Sequence, residues 1–123
     1  MVNEFMSNVF GKQLRALRES KGVSQNELAR RMGYSSNGYL SDIERGAYMP
    51  SEVHTLREMA RALDVPFQTI EHMALEARLD DLGIRERGFV SLLKDYPKLT
   101  PEDRSQIMRA YLKVKAKRQK RHD

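Results

Sequence analysis

Apolar positions recur along this chain at helical spacing, with no sustained alternation of the kind a strand needs. Phe10, Leu14 and Leu17 fall at i, i+4 and i+7, which predicts a first helix with one apolar face, closed by Gly22. Ser24 and Glu27 form a capping box at the start of a second helix, and Val23 and Leu28 can staple across it. Leu28, Ala29 and Met32 face inward, and Gly33 suits the left-handed position that stops the helix. The segment Tyr34–Gly38 leads to a third helix, anchored by Leu40 and Ile43 and ended by Glu44-Arg45-Gly46. Ser51 caps a fourth, with Val53, Leu56, Ala60 and Leu63 on one stripe; Asp64 takes the left-handed position after it.

Pro66 opens a fifth helix with Phe67, Ile70 and either Met73 or Ala74 inward, and its pattern runs on through Leu75, Leu79 and Leu82 to Gly83. Phe89, Leu92, Leu93 and Tyr96 make a sixth, which Pro97 ends. Thr100 as N-cap, Pro101 at the first position and the acids Glu102 and Asp103 start a seventh. Its apolar face holds Ile107, Met108, Tyr111, Leu112 and Val114, and its end from Lys113 to Arg121 is expected to fray. The predicted fold class is all-α.

Composition narrows the function. The 123 residues suit one domain, or one small domain with an appended segment. Absence of cysteine excludes disulfides and thiolate metal sites, and His54, His72 and His122 lack ligand spacing, so neither metal nor cofactor is expected. No apolar run approaches the ~18 residues of a membrane span. The N-terminus MVNEFMSNVF lacks the basic start and apolar block of a signal peptide, so the expected location is cytoplasmic. Nothing resembles a nucleophile with its base or a phosphate-binding glycine loop, which argues against an enzyme. The net charge of +5 hints at an acidic partner, but it is unevenly spread. Residues 1–80 carry 10 Lys/Arg and 11 Asp/Glu, whereas residues 81–123 carry 12 and 6. The tail 113–121 is either a solvated helix end that complements the helix dipole or an arm adding non-specific DNA affinity.

Two short helices joined at a glycine turn, about 24–44, make a helix-turn-helix, and a third helix held proud of its scaffold fits a major groove. The stretch GVSQNELARRMGYSSNGYLSDIERGAYMPS, followed by a leucine-spaced helix and ALDVP, resembles the lambda-repressor/Cro-like helix-turn-helix family, also called XRE. The shared features are Ser24-Gln25, Leu28-Ala29, Gly33, Leu40-Ser41, Ile43-Glu44-Arg45-Gly46, Pro50-Ser51 and Leu-Asp-Val-Pro. The resemblance implies a five-helix DNA-binding domain over 8–74, with a helical segment over 75–123. One extra residue lies between Gly33 and Ile43, and the turn Tyr34–Gly38 should absorb it.

The resemblance places Gln25 near phosphate with Asn26 beside it, and Asn37, Gly38 and Tyr39 at the start of helix three, where base edges are read. Asn can bond adenine N6 and N7 together. Ser36 is a cap or a phosphate ligand. Ser41 and Asp42 lie farther along; Asp42 is a cytosine reader or an i, i+3 partner of Arg45. Arg45 and Tyr48 are placed to hold the DNA backbone. Glu44 is expected to orient Arg45 or a helix-four group, and Tyr39 either packs or reaches phosphate.

A single recognition helix rarely suffices for specificity, so two chains should pair. Phe89, Leu92, Leu93, Tyr96, Ile107, Tyr111, Leu112 and Val114 are the candidate dimerisation residues, with folding back on the first domain as the alternative. The resulting reading is a homodimeric repressor that binds double-stranded DNA at a pseudo-palindromic operator. A regulatory protein partner is possible, and no membrane is involved. The rivals are a protein-interaction module of antitoxin or antirepressor type, using the C-terminal helices, and an RNA-binding adaptor. The adaptor is disfavoured because no aromatic sheet surface is available to stack bases.

Overall fold

A computed structural model describes residues 8–122, the side chain of His122 excepted. Residues 1–7, where a signal peptide would begin, lie outside the described residues, as does Asp123. The described residues form α1 (Val9–Ser20), α2 (Gln25–Arg31), α3 (Gly38–Glu44), α4 (Val53–Leu63), α5 (Phe67–Asp81), α6 (Phe89–Asp95), a 3-10 turn (Tyr96–Lys98) and α7 (Pro101–His122), and no strand. The fold is all-α, as the periodicity predicts. The chain divides into two compact units, one ending at Glu86 and one beginning at Arg87.

In the first unit, α1 packs on α3 and α5, α4 packs on α2 and α5, and α2 meets α3. The apolar stripes meet in one core, where Phe10, Leu14, Leu28, Leu40, Ile43, Met59, Leu63 and Ile70 are all but sealed from solvent. Burying side chains of this size contributes about 1.5–3 kcal/mol each. Asp64 closes α4 at φ 55, ψ 50, the left-handed conformation expected for it. α5 continues past residue 74 to Asp81, because Ala77 and Leu79 stay buried along it.

Two details differ from expectation. Glu52, not Ser51, occupies the N-cap position of α4, and its carbonyl accepts the first helical bond from Leu56 N–H at 3.1 Å. The helix begins one residue later than the side-chain rule suggests, and no side chain caps it. Val53 is 54% exposed, at the rim of a groove it shares with Met49, Phe67 and Leu75.

α1 crosses α3 closely at Gly11. A Cβ there would lie 2.3 Å from the Ile43 carbonyl oxygen and 2.4 Å from Asn8 Oδ1. The first of these is backbone and cannot rotate away, so only glycine permits the approach.

In the second unit, Thr100 Oγ1 accepts from Asp103 N–H at 3.1 Å and caps α7 as expected. Arg104 ties α7 to the 3-10 turn: its guanidinium lies 5.1 Å from the Tyr96 ring centroid and donates to the carbonyls of Tyr96 at 3.1 Å and Pro97 at 2.7 Å. α7 runs unbroken to His122 where fraying was expected. Lys, Arg, Gln and Ala propagate helices well, and cations in the last turn suit the dipole. No described helix is long and apolar enough to cross a membrane.

Gly11→Ala is expected to cost on the order of 1–3 kcal/mol through overpacking. Gly38→Ala, whose Cβ would meet only Ser36 Oγ at 3.8 Å, should be neutral or stabilising by up to ~1 kcal/mol. Urea denaturation of the two variants measures the contrast.

Candidate nucleic-acid interface

The corner between α2 and α3 is built from local rules. Ser24, at φ −75 and ψ 164, accepts from Glu27 N–H at 3.0 Å and caps α2. The Glu27 carboxylate turns outward to Arg30 and, at 3.1 Å, to Arg31. Gly33 at φ +84 allows Tyr34 N–H to reach the Ala29 carbonyl at 2.9 Å, closing the helix. Residues 34–37 are not helical, and Leu40 and Ile43 are 0% and 1% exposed. Asn37 holds the N-cap position of α3, so Ser36 is not the cap. The Asn37 side chain does not bond its own helix; Nδ2 donates to Gln25 Oε1 at 3.2 Å.

That bond is the outermost link of a chain running inward. Gln25 Nε2 donates to Glu44 Oε1 at 3.0 Å. Glu44 is gripped by Arg18, whose Nε donates to Oε2 at 2.8 Å and Nη2 to Oε1 at 3.0 Å. Arg18 Nη1 also donates to the Val23 carbonyl at 2.9 Å, just before the α2 cap. The Arg18 and Glu44 side chains are 11% and 4% exposed. The hydrogen bond to Glu44 raises the Arg18 guanidinium above its ordinary pKa, against the opposing pull of burial. Glu44 was expected to serve Arg45 or a helix-four group; instead it joins α3 to α1 and α2. Its position follows from periodicity: Glu44 lies i+4 from Leu40 and Arg18 i+4 from Leu14, so each continues an inward stripe. A base and an acid on facing stripes must find each other. That was the available signal for both residues.

The remaining candidates surround this corner. Tyr39 packs between Tyr34, edge-on at 5.2 Å, and Tyr48, tilted at 5.3 Å. Burial, with Tyr48 close by, pushes the Tyr39 phenol well above its usual range. Tyr34, not singled out in the sequence, thus helps brace the turn before α3 to the loop after it. Asp42 pairs with Arg45, as the i, i+3 spacing suggests, and both remain about half exposed. Asn26 and Ser36 line a cleft of about 440 Å³ with Glu27, Arg30 and Tyr34. Gly38 is exposed at the first position of α3, and Ser41 is half-buried one turn later. Among the described residues no cluster of three or more His, Cys, Asp or Glu could hold a metal.

Of the candidate pairing residues, Leu92, Leu93, Tyr111, Leu112 and Val114 are exposed, while Phe89, Tyr96 and Ile107 are half-buried. Sequence comparison bears on the first unit. Residues 9–73, just over half the chain, match the model of a helix-turn-helix domain.

The chain belongs to the lambda-repressor/Cro-like helix-turn-helix family.

Its helix-turn-helix portion is 38% identical over 65 residues to the HTH-type transcriptional repressor RghR of Bacillus subtilis, covering 53% of this chain and 47% of that protein. The chain thus spans about half the length of RghR. It is 42% identical over 60 residues to the HTH-type transcriptional regulator y4dJ of Sinorhizobium fredii, covering 49% of this chain and 75% of that one. Among solved structures, the clp gene regulator ClgR of C. glutamicum matches at 34% identity and a TM-score of 0.48, over 55% of this chain and 86% of that chain.

The Arg18–Glu44 pair gives a direct stability prediction. Glu44→Ala leaves Arg18 buried without its anion and should cost about 3–5 kcal/mol. The double variant Arg18→Met/Glu44→Leu should recover most of that loss. Denaturation of Arg18→Met, Glu44→Leu, the double variant and the parent closes the cycle, with Glu44→Ala measured beside them.

Proposed function

We propose that this helix-turn-helix protein is a sequence-specific, double-stranded DNA-binding transcriptional regulator, acting as a cytoplasmic homodimeric repressor at a pseudo-palindromic operator. The observation that carries the reading is the bonded chain Asn37–Gln25–Glu44–Arg18 at the corner of α2 and α3. It fixes an amide at the N-cap of the short helix α3. One Asn37 N–H is given to Gln25, which leaves the other N–H and Oδ1 for a base edge. One donor and one acceptor are what adenine N7 and N6 require. Gln25 likewise gives one N–H to Glu44 and keeps another for a phosphate oxygen.

The surrounding residues fit the same surface. Arg45 is held by Asp42 in an exposed pair, and such pairs contribute only about 0–1 kcal/mol. Arg45 can therefore exchange its partner for a phosphate at little cost. Asn26, Ser36, Gly38, Ser41 and the Tyr48 hydroxyl complete the candidate contact set. Tyr39 contributes by holding Tyr34 and Tyr48 in place. The exposed Leu92, Leu93, Tyr111, Leu112 and Val114 supply an apolar face for a second copy. The relative named as a repressor supports that sense of regulation. The same apolar face also suits a different protein partner, which is the second reading.

Selection of genomic duplex fragments with purified protein tests this. The expected result is a two-fold symmetric motif with half-sites about one helical turn (~34 Å) apart. Asn37→Ala should weaken the selected site by about 1–3 kcal/mol and relax one base position. Arg45→Ala should weaken all sequences alike and reduce the salt slope by about one. No enriched motif would defeat the reading, and an enriched but asymmetric single site would favour the protein-partner alternative.

A further inference from the structure

The basic excess of the chain is concentrated on α7, and it is ordered there. Between Arg104 and His122 the sequence has eight Lys or Arg residues and no Asp or Glu. α7 is helical throughout that stretch, so each residue advances about 100° around the axis. Arg109, Lys113, Lys117 and Lys120 then fall within a sector of about 80°, and Arg121 lies about 40° beyond it. Ile107, Tyr111 and Val114 occupy the opposite sector, and Lys115 and Arg118 lie on that apolar side. All the cations from Arg109 to Arg121 are exposed. One face of the helix thus carries a purely basic stripe, and the other carries the apolar residues with two further cations.

The helix dipole explains only part of this. Its attraction for cations fades beyond the last turn. Arg109 and Lys113 lie two turns or more before the end of α7, so they are outside its range. Arg109 Nε makes one long bond, 3.4 Å, to the Ser105 carbonyl of its own helix. Spacing makes the stripe unfavourable by itself: Arg109–Lys113, Lys113–Lys117 and Lys117–Arg121 are like charges at i, i+4. Beyond Glu102 and Asp103 in its first turn the helix carries no acid to offset them, so an external polyanion would be a stabilising partner.

We propose that this stripe is a second DNA-contacting surface, one that tracks duplex phosphates without reading sequence. The inference rests on the DNA-binding reading above and extends it to the second unit. Charge complementarity supports it. From Arg109 to Arg121 the stripe covers about 18 Å of helix axis, with cations about 6 Å apart. A DNA strand offers a phosphate every ~3.4 Å of duplex axis, so each cation has one within reach. The stripe adds affinity for any duplex, whereas Asn37 discriminates among them.

The test compares two variants of equal charge in the full chain. Lys113→Gln/Lys117→Gln removes two cations from the stripe, and Lys115→Gln/Arg118→Gln removes two from the apolar side. Glutamine propagates a helix about as well as lysine or arginine, and circular dichroism confirms that helicity is kept. Affinity for a random-sequence duplex is measured against salt concentration, and binding to phosphatidylserine/phosphatidylcholine vesicles is measured alongside. The stripe variant is expected to lose about 1.8 from the salt slope, about 0.9 per phosphate contact, and the control less than half of that. Equal losses would reduce the stripe to a net-charge effect and overturn the proposal, as would slopes unchanged in both. Vesicle binding lost in the stripe variant, with unchanged DNA slopes, would assign the surface to anionic lipid instead. If the parent binds no duplex at all, the DNA reading fails and this inference falls with it. If the parent binds and only the slopes disagree, the inference alone fails.

Discussion

Burying an acid and a base together is the constraint on which the rest of the first unit depends. Taking two charges out of water costs several kcal/mol for each ion, and only good geometry with further hydrogen bonds offsets it. The Arg18–Glu44 pair meets that condition: the guanidinium grips both carboxylate oxygens, the Val23 carbonyl takes a third N–H, and Gln25 donates to Glu44 from the side. These contacts link α1, the approach to α2, and the end of α3. None of the three can shift without leaving a buried polar group unmet. Gly11 adds the steric half of the constraint, bringing α1 against the Ile43 carbonyl at the same end of α3.

The site inherits its order from this core. Asn37 stands at the surface, yet it is bonded to Gln25, which is bonded to a buried carboxylate. A side chain held in this way loses little rotamer freedom on meeting its ligand, which lowers the cost of binding. The tyrosines act similarly on the flanks, since Tyr39 couples the turn before α3 to the loop after it through Tyr34 and Tyr48. In the proposed function, sequence preference belongs to this corner, and Arg45 and the cations of α7 supply attraction that tolerates imprecise geometry.

Features governed by local rules were legible in the sequence. The Ser24 cap, the Gly33 turn, Asp64 in its left-handed conformation and the Thr100 cap each follow from one residue and its near neighbours. Leu40 and Ile43 read as the inward anchors of the third helix, and both are buried. What depended on partners distant in sequence was harder to read. Glu44 looks like a helix-end charge until Arg18, 26 residues earlier, is placed opposite it. Tyr34 looks like a turn residue until Tyr39 and Tyr48 close on it. α4 begins one residue later than the hydroxyl of Ser51 suggests, with Glu52 at its N-cap and no side-chain cap.

The central claim is that the buried pair positions the base-reading amide, and a double-mutant cycle on DNA binding tests it most directly. Glu44→Gln keeps the shape of the side chain but removes the charge, and Asn37→Ala removes the amide. The quantity to measure is the ratio of affinity for the selected site to affinity for random duplex, in both single variants, the double variant and the parent. Coupling is predicted: once Asn37 is gone, Glu44→Gln should lower the ratio little further. Independent, additive losses would contradict the account, because Glu44 would then affect recognition by a route that does not pass through Gln25 and Asn37.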